Sequence, residues 1–403
     1  MRARLGVLTR VAFDIRNGPP MPATNRPMNF NAGPAALPRA VLERCRDELL
    51  DFDGSGLSVM EHSHRGASYE RVHRQTTARL RSLIDIPDGS GAQGYDVLYV
   101  QGGASHQFAM VPLNLLPAGS TAGYVVTGSW GERAVAEAKA LAATGGGEAR
   151  VVANTVPSKG DNALRRLPWP GEARSSVGDT YVHLTTNETI DGVQFATAPG
   201  ASMPDFGPAP VVADMSSDIA WRRVDVRQFG LAYAGAQKNL GPSGVTVVII
   251  RRDLVEAGRA DIPTILQYRT FAKHDSLYNT PPTFAIYLMG LVLEWIEGIG
   301  GLDVIEARNR AKAAAIYDAI DAAPGFYRCP VEVGSRSVMN VTFRLPTPEA
   351  EARFLAEASA QGMTGLAGHR SVGGIRASLY NAVEPAWAEA LAALMRDHVA
   401  RHG

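Results

Sequence analysis

The chain has 403 residues, with 40 basic and 40 acidic side chains, so its formal net charge is zero. A balanced charge leaves no long-range field that would attract nucleic acid or an anionic membrane, and neither partner is predicted. The composition, 45% hydrophobic and 20% charged, is that of an ordinary globular protein, and the length suggests two or three domains.

Apolar runs and cysteines exclude two further classes of protein. The apolar runs are strand-length pieces such as 245–250, which are too short to span a bilayer. The two cysteines, Cys45 and Cys329, form no CxxC pair, which argues against a disulfide framework and a thiolate metal site. We therefore predict no metal, and a reducing cytoplasm is the simplest compartment.

Residues 1–27 differ from the rest, since they hold five arginines and a single acid, Asp14. An arginine-rich, acid-poor start is typical of a transit peptide. The alternative is a disordered extension or a start codon placed too early, with Met21 or Met28 as the true beginning. We favour this alternative.

From about residue 95 to 250, short apolar runs alternate with helical stretches such as 131–143. This alternation predicts an α/β fold with a mainly parallel sheet covered by helices on both faces. The predicted strands are Tyr95–Val100, Ala122–Thr127, Arg150–Ala153, Thr180–Leu184, Pro210–Asp214, Leu231–Ala234 and Val245–Ile250. The last strand follows its predecessor closely, which leaves room for one antiparallel pair.

After about residue 270 the pattern changes to long helices with isolated strands, which predicts a smaller α+β domain. We expect a large domain over 28–270 and a small one over 271–403. The first segment of the large domain, 28–50, is expected to pack on the small domain.

Two strand-to-helix loops have ambiguous sequences. Residues 101–106 (QGGASH) suit phosphate binding, because glycines allow close approach and a helix amino terminus offers free N–H groups; the segment is also an ordinary turn. In residues 127–132 (TGSWGE), Ser129 and Glu132 match a capping box. Trp130 would either stack on a planar cofactor or pack on the core.

Two more loops carry an acid and an amine. Asp214 ends an apolar strand, where it would either cap a turn with Ser216 or Ser217, or balance a protonated ring nitrogen. Of the five lysines (139, 159, 238, 273 and 312), only Lys238 lies between two apolar strands in a glycine-rich setting. Burial there would lower the pKa of the amine and make it nucleophilic.

Together these loops hold the four groups that a pyridoxal phosphate site needs: an amine, a carboxylate, a phosphate cradle and a flat ring. Asp214 precedes Lys238 by 24 residues, with one predicted strand between them. The combination predicts that cofactor, although each loop alone also has an ordinary structural interpretation.

Five segments carry a family resemblance: Ser58–Gly66, Asn187–Gly192, Tyr233–Asn239, Asn279–Thr283 and Gly368–Ser378. Read in this order, they resemble the phosphoserine aminotransferases, which are class V, fold-type-I enzymes that use pyridoxal 5'-phosphate. The likeness runs from about residue 28 to the end of the chain. It implies the fold-type-I architecture, with a large sheet domain and a smaller C-terminal domain.

The resemblance implies contacts to the cofactor ring. Lys238 would carry the cofactor, Asp214 would pair with the ring nitrogen and Trp130 would stack on the ring. Thr189 would lie near the phenolic oxygen.

A second set of implied residues would hold the cofactor phosphate. The backbone at Ala104 and Ser105 would do so together with Gln237. Asn279 and Thr280 would reach the phosphate from a neighbouring subunit, which implies a homodimer with shared active sites. Some relatives carry glycine, arginine or cysteine at 104 and 105, which a backbone contact tolerates. At 31–32, where some relatives have two serines, no substrate contact is carried over.

The resemblance also implies the substrate site. Arg376 would bind the α-carboxylate, while His64, Arg65, His369 and Arg370 would receive the substrate phosphate, the first two from across the dimer. The residues themselves give partial support. Strand alternation places Arg376 opposite an apolar face, where it would point into a site or into solvent. Two His-Arg pairs beside glycines also suit a dianion.

The implied reaction is a ping-pong transamination in serine biosynthesis, from L-glutamate to 3-phosphohydroxypyruvate. Whether 4-phosphohydroxy-L-threonine of pyridoxine biosynthesis is a second substrate stays open. Three rivals remain: a cysteine desulfurase or other lyase of this fold, an aminotransferase for a smaller keto acid such as glyoxylate, and a catalytically silent binding protein. Neither Cys45 nor Cys329 is placed like the mobile nucleophile of a desulfurase.

Overall fold

The computed structural model describes residues 26–158, 161 and 163–403. The expected N-terminal extension, 1–27, therefore lies outside the described residues except for its last two, as does Lys159. None of the helices in the described part of the chain combines the length and the apolarity needed to cross a bilayer.

Ten α-helices occur in the described part of the chain. They are α1 (Arg39–Asp47), α2 (Ala67–Leu83), α3 (Gly103–Leu115), α4 (Ser129–Ala142), α5 (Arg252–Ala257), α6 (Tyr268–Lys273), α7 (Thr283–Gly298), α8 (Gly301–Asp321), α9 (Pro348–Ala360) and α10 (Pro385–His402). Helix α4 covers most of the predicted helical stretch 131–143.

All seven strands predicted between residues 95 and 251 are present. The strands are β1 (Met28–Asn29), β2 (Tyr95–Val100), β3 (Thr121–Val126), β4 (Glu148–Asn154), β5 (Asp179–Thr185), β6 (Asn187–Glu188), β7 (Val193–Gln194), β8 (Val211–Asp214), β9 (Leu231–Gly235), β10 (Thr246–Arg251), β11 (Asn340–Phe343), β12 (Met363–Thr364) and β13 (Ile375–Ser378).

The central sheet has seven strands in the order β2-β10-β9-β8-β5-β3-β4. All of its strands run in one direction except β10, which is antiparallel to both β9 and β2. The prediction of a mainly parallel sheet is confirmed; the expected antiparallel pair, β9–β10, is present, and β10–β2 is a second one. Because the parallel strands end at one edge, the loops that follow them meet there.

Helices cover both faces of this sheet. In β2, Leu98 and Val100 belong to a core shared with α3 and α4, whereas Tyr99 belongs to the core shared with α2 and α7. Side chains alternate between the two faces of a strand, so a strand buried on both sides is apolar throughout.

A second core lies between α8, α9, α10 and the antiparallel pair β11–β13. Strand β1 pairs with β12 and Phe30 is buried in this core, so the start of the described chain packs here. Helix α7 instead contributes to the core of the large sheet. Judged by which core each helix packs in, the boundary between the large sheet region and the second core falls near residue 300. The division into 28–270 and 271–403 stays a prediction.

Candidate active site

A cavity of about 300 Å³ opens at the carboxyl edge of the large sheet. Residues at or after the ends of β2, β3, β5, β8 and β9 line it, together with Ala32, Gly33, His369 and Arg376. The residues predicted for the site that line it are Ala104, Ser105, Trp130, Thr189, Asp214, Gln237, Lys238, His369 and Arg376. Tertiary structure therefore brings together nine side chains that are up to 272 positions apart in sequence.

Lys238 follows β9 and reaches into this cavity. Its Nζ donates a hydrogen bond of 2.7 Å to Thr189 Oγ1. The side chain keeps some accessible surface on the cavity side, but protein packs densely around the rest, and this burial lowers the pKa of the amine to about 8. Gly33 lies against the lysine stem, where an added Cβ would come within 3.3 Å of Lys238 Cγ. A glycine at 33 thus gives the lysine room to extend.

Asp214 ends β8 and is only 4% exposed. Its Oδ1 accepts a hydrogen bond of 2.9 Å from the Ser216 backbone N–H, so the predicted turn cap is present. Among the described residues it forms no ion pair, and burial raises the pKa of the carboxyl group. A buried carboxylate without a cation is costly, which makes this position suited to a positively charged ring nitrogen.

The loop after β2 ends in the amino terminus of α3. Gly102 and Gly103 have φ values of +91° and +66°, in the left-handed region that glycine tolerates. No side chain caps this helix, and its first residues, Ala104 and Ser105 among them, line the cavity. The free N–H groups and the helix dipole form a cradle suited to a phosphate.

Trp130 stands at the start of α4, with its ring centroid 5.7 Å from Lys238 Nζ. The capping box predicted for Ser129 and Glu132 is wrong, because Gly128 is the N-cap and no side chain on the helix caps it. Acids from the loop after β5 act instead. Glu188 accepts hydrogen bonds of 2.9 Å from the N–H groups of Trp130 and Gly131.

Asp191 completes this cap from the same loop. It accepts a hydrogen bond of 2.8 Å from the Ser129 N–H and pairs with Arg165 at 2.8 Å. Burial, with Asp191 nearby, raises the pKa of Glu188 to about 8. The two acids thus hold the backbone at Trp130 in place, and Thr189, which lies between them in sequence, accepts the hydrogen bond from Lys238.

Arg376 lies in β13, where its neighbours Ile375 and Ala377 are buried on the opposite face. Of the two orientations that alternation allowed, the structure has the one toward the site. The Nη1 donates to the Thr189 carbonyl at 3.4 Å, and the Nε is buried without a hydrogen-bond partner among the described residues. A guanidinium so placed retains donors for an incoming anion.

His369 and Arg370 lie in a glycine-bounded loop, 368–374. Its ends are joined by a hydrogen bond of 2.8 Å from the Gly368 N–H to the Gly374 carbonyl. His369 lines the cavity, whereas Arg370 is exposed beside it. Burial and the charges of Arg376, Arg133 and Arg370 lower the pKa of His369.

Besides Arg370, four predicted residues are not among those that line this cavity. His64 and Arg65 precede α2, and Asn279 and Thr280 precede α7. The Nε2 of His64 is buried without a partner among the described residues. The resemblance assigns all four to a site across a dimer, and that assignment stays a prediction.

Sequence reasoning missed the residues that support the site. Glu188 and Asp191 lie in the segment Asn187–Gly192, in which the resemblance assigns a role to Thr189 alone. No role was predicted for Gly33. The pattern of two acids three residues apart could have suggested a cap, but nothing in the sequence indicates which helix they would cap.

The cavity fits pyridoxal phosphate. It combines an amine of lowered pKa, a buried carboxylate without a cation, an uncapped helix amino terminus and an indole whose Nε1 is buried without a partner among the described residues. Each of these is incomplete in the protein alone, and each matches one part of that cofactor.

Comparisons with known proteins agree with the site. The sequence model of the family described as aminotransferase class-V matches residues 28–391. The phosphoserine aminotransferase of Niallia circulans is 52% identical over 378 residues, which cover 94% of this chain and 99% of that protein. The one from Geobacillus kaustophilus is 53% identical, over 92% and 98% of the two chains.

Solved structures show the same relationship. The phosphoserine aminotransferase of Bacillus circulans subsp. alkalophilus has a TM-score of 0.86 at 51% identity, covering 94% of this chain and all of that one. The pyridoxal-phosphate-bound enzyme of Trichomonas vaginalis has a TM-score of 0.85 at 37% identity, covering 92% of this chain and 100% of that one. The predicted fold-type-I architecture is confirmed. The chain belongs to the class-V aminotransferases and, within them, to the phosphoserine aminotransferase family.

Proposed function

We propose that this chain is a pyridoxal-phosphate-dependent phosphoserine aminotransferase. It transfers the amino group of L-glutamate to 3-phosphohydroxypyruvate and yields 2-oxoglutarate and O-phospho-L-serine, a step of serine biosynthesis. The observation that carries the proposal is one cavity in which Lys238, Asp214, Trp130 and the amino end of α3 meet, with Arg376 on its wall.

The cofactor would be held on every side. Asp214 would take the ring nitrogen, Trp130 one ring face, and Thr189 the phenolic oxygen. The N–H groups at Ala104 and Ser105 would receive the phosphate.

Gln237 also lines the cavity and would add a contact to that phosphate. When bound, the cofactor supplies an electrophilic carbon and an electron-withdrawing ring.

The protein's own groups would perform the proton transfers. With its pKa lowered to about 8, the Lys238 amine has an appreciable neutral fraction near neutral pH and can take a proton from the substrate Cα and return it. Thr189 orients this amine through the 2.7 Å hydrogen bond. Asp214 holds a negative charge where cationic character is needed, so it stabilises electron withdrawal from Cα.

The substrate would be oriented by its two anionic ends. Arg376 would bind the α-carboxylate with its fork of N–H donors, while His369 and Arg370 would receive the phosphate or the second carboxylate. His64 and Arg65, with Asn279 and Thr280 for the cofactor, would come from a second subunit. The proposed active enzyme is a homodimer, in which a second chain would supply these four groups, none of which is among the residues that line the cavity.

The rival activities have less support. Burial raises the pKa of both thiols, at Cys45 in α1 and at Cys329, and neither is among the residues that line the cavity, so a desulfurase would lack its nucleophile. An enzyme for glyoxylate would have no use for the His-Arg loop. A silent binding protein would not need a lysine with a lowered pKa.

A half-reaction assay tests the proposal. Cofactor-loaded protein is mixed with glutamate, and its visible spectrum is followed until the change is complete. Addition of 3-phosphohydroxypyruvate should restore the first spectrum, whereas hydroxypyruvate and glyoxylate should do so far more slowly. Equal rates for all three keto acids would refute the substrate assignment. The same assay with 4-phosphohydroxy-L-threonine as amino donor tests the second substrate.

A further inference from the structure

Most arginines of the described chain are engaged in ion pairs or hydrogen bonds, and the exceptions are informative. Six have a guanidinium group that forms no hydrogen bond or ion pair with another described residue: Arg65, Arg74, Arg133, Arg308, Arg370 and Arg396. Two of them, Arg65 and Arg370, already belong to the proposed phosphate site. Of the other four, Arg133 contacts Trp130 of the proposed site, and the proposed function gives Arg133 no role.

Arg133 contacts the wall of the cofactor cavity through Trp130, although it is not itself among the residues that line the cavity. It is exposed, and its Cζ lies 4.7 Å from the centroid of the Trp130 ring, which itself lines the cavity. Stacking on an indole restricts a long side chain, so less conformational entropy is lost when the guanidinium binds an anion. The contact thus presents a cation, without an acid to neutralise it, beside the site.

The charge of Arg133 also reaches the substrate loop. Burial, followed by the positive charges of Arg376, Arg133 and Arg370, lowers the pKa of His369. Such a group of like charges is unfavourable in the empty protein. An anion with two negative charges would relieve it.

Helix stability does not explain a cation at this position. Arg133 is the fifth residue of α4, far from the carboxyl end at which the helix dipole would stabilise a cation. No carboxylate of the described chain forms an ion pair with it. Within the described part of the chain, the Trp130 ring is the one recorded partner of its guanidinium group.

We infer that Arg133 is a further anion-binding residue of the substrate site, which helps His369 and Arg370 to hold the phosphate or the second carboxylate of a dianionic substrate. The inference rests on the proposed function and deepens it. A phosphate monoester would gain from it most, because it carries the larger charge.

The test compares three variants with the parent enzyme. R133M keeps the stem that packs on Trp130 but removes the charge, and R133K restores a charge. R396M is the matched control. Arg396 is also exposed, and its guanidinium group has no ion pair or hydrogen bond to a described residue. It lies in α10, a helix that packs in the second core. For each, kcat/KM is measured for 3-phosphohydroxypyruvate and for hydroxypyruvate. The dissociation constant of the cofactor is measured as well.

We expect R133M to lower kcat/KM for the phosphorylated keto acid about tenfold, the size of one lost charged hydrogen bond. The value for hydroxypyruvate and the cofactor dissociation constant should stay within twofold, and R133K should recover most of the loss. R396M should behave like the parent enzyme. An equal loss for both keto acids, a weakened cofactor complex or no loss at all would overturn the inference. A parent enzyme without preference for the phosphorylated substrate would instead refute the proposed function.

Discussion

Among the described lysines, Lys238 and Lys312 are enclosed by protein, and they lie in very different surroundings. Lys238 projects from the loop after β9 into a cavity, where its amine has one hydrogen bond, to Thr189. Lys312 lies within α8, is 1% exposed, and donates to the carbonyls of Leu379, Tyr380 and Val383 at 2.8, 2.7 and 3.1 Å.

Burial lowers the pKa of both amines, to about 8 for Lys238 and about 7 for Lys312. Burial alone therefore does not mark the catalytic lysine. Three carbonyl acceptors use every N–H of a protonated Lys312 and favour its charged form, whereas Lys238 keeps unused donors and free space beside it. The reactive amine therefore differs from the structural one in the number of its N–H donors that have no acceptor in the protein.

The largest effect is expected from removal of the reactive amine. K238A should lower kcat at least about 10³-fold, because no other described group on the cavity wall is an amine that can carry the Cα proton. It should also abolish the visible absorbance of the cofactor-loaded protein. K238R is the control for charge, and it should be equally inactive. Turnover by either variant would remove Lys238 from the mechanism.

The second-largest effect is expected from replacing Asp214, the acid proposed to pair with the ring nitrogen of the cofactor. D214N should lower kcat about 10²-fold, since a neutral amide does not stabilise a cationic ring nitrogen. Asp218 offers a matched control: it is also buried, but it bonds to Thr186 and Gln194 and is not among the residues that line the cavity. Steady-state rates should fall for D214N and stay within a few fold for D218N. The reverse order would show that the wrong acid has been assigned to the ring.

Lys312 should show the opposite response. K312M leaves three buried carbonyls without a donor, so the free energy of unfolding should fall by about 3 kcal/mol. The kcat of the folded enzyme should stay within twofold, and K273M at an exposed lysine should change neither quantity. Urea titration and steady-state kinetics measure the two effects. Loss of kcat without loss of stability would show that the two lysines do not differ as described.

The smallest effect concerns pH and the lysine that binds the cofactor. The neutral amine is the nucleophile, and its fraction grows as pH rises through the pKa of about 8. The rate at which cofactor-free protein takes up pyridoxal phosphate should therefore increase about tenfold per pH unit below 8 and level off above it. Stopped-flow absorbance measures this rate. An increase that continued to pH 10 would indicate an unperturbed lysine.

Much of the fold could be predicted because it depends on local pattern. The runs at 95–100 and 246–251 are apolar without alternation, which indicates strands buried on both faces, and their close spacing to neighbours allowed an antiparallel pair. The capping box at Ser129 failed for the opposite reason. Its spacing is local, but the acids that cap the helix come from 188 and 191, which the chain brings there only by folding.

The candidate site divides in the same way. The residues with the required chemistry could be identified from sequence, because Lys238, Asp214, Trp130 and the glycine loop each lie at or just after the end of a strand, and parallel strands end at one edge. Three further features became visible only in the folded chain: Lys312 is buried as well, Gly33 makes room for Lys238, and Arg133 stacks on Trp130 without an ion pair to a described residue. The reason is physical, since burial, close approach and pairing are properties of contacts between distant segments, and a linear pattern does not record them.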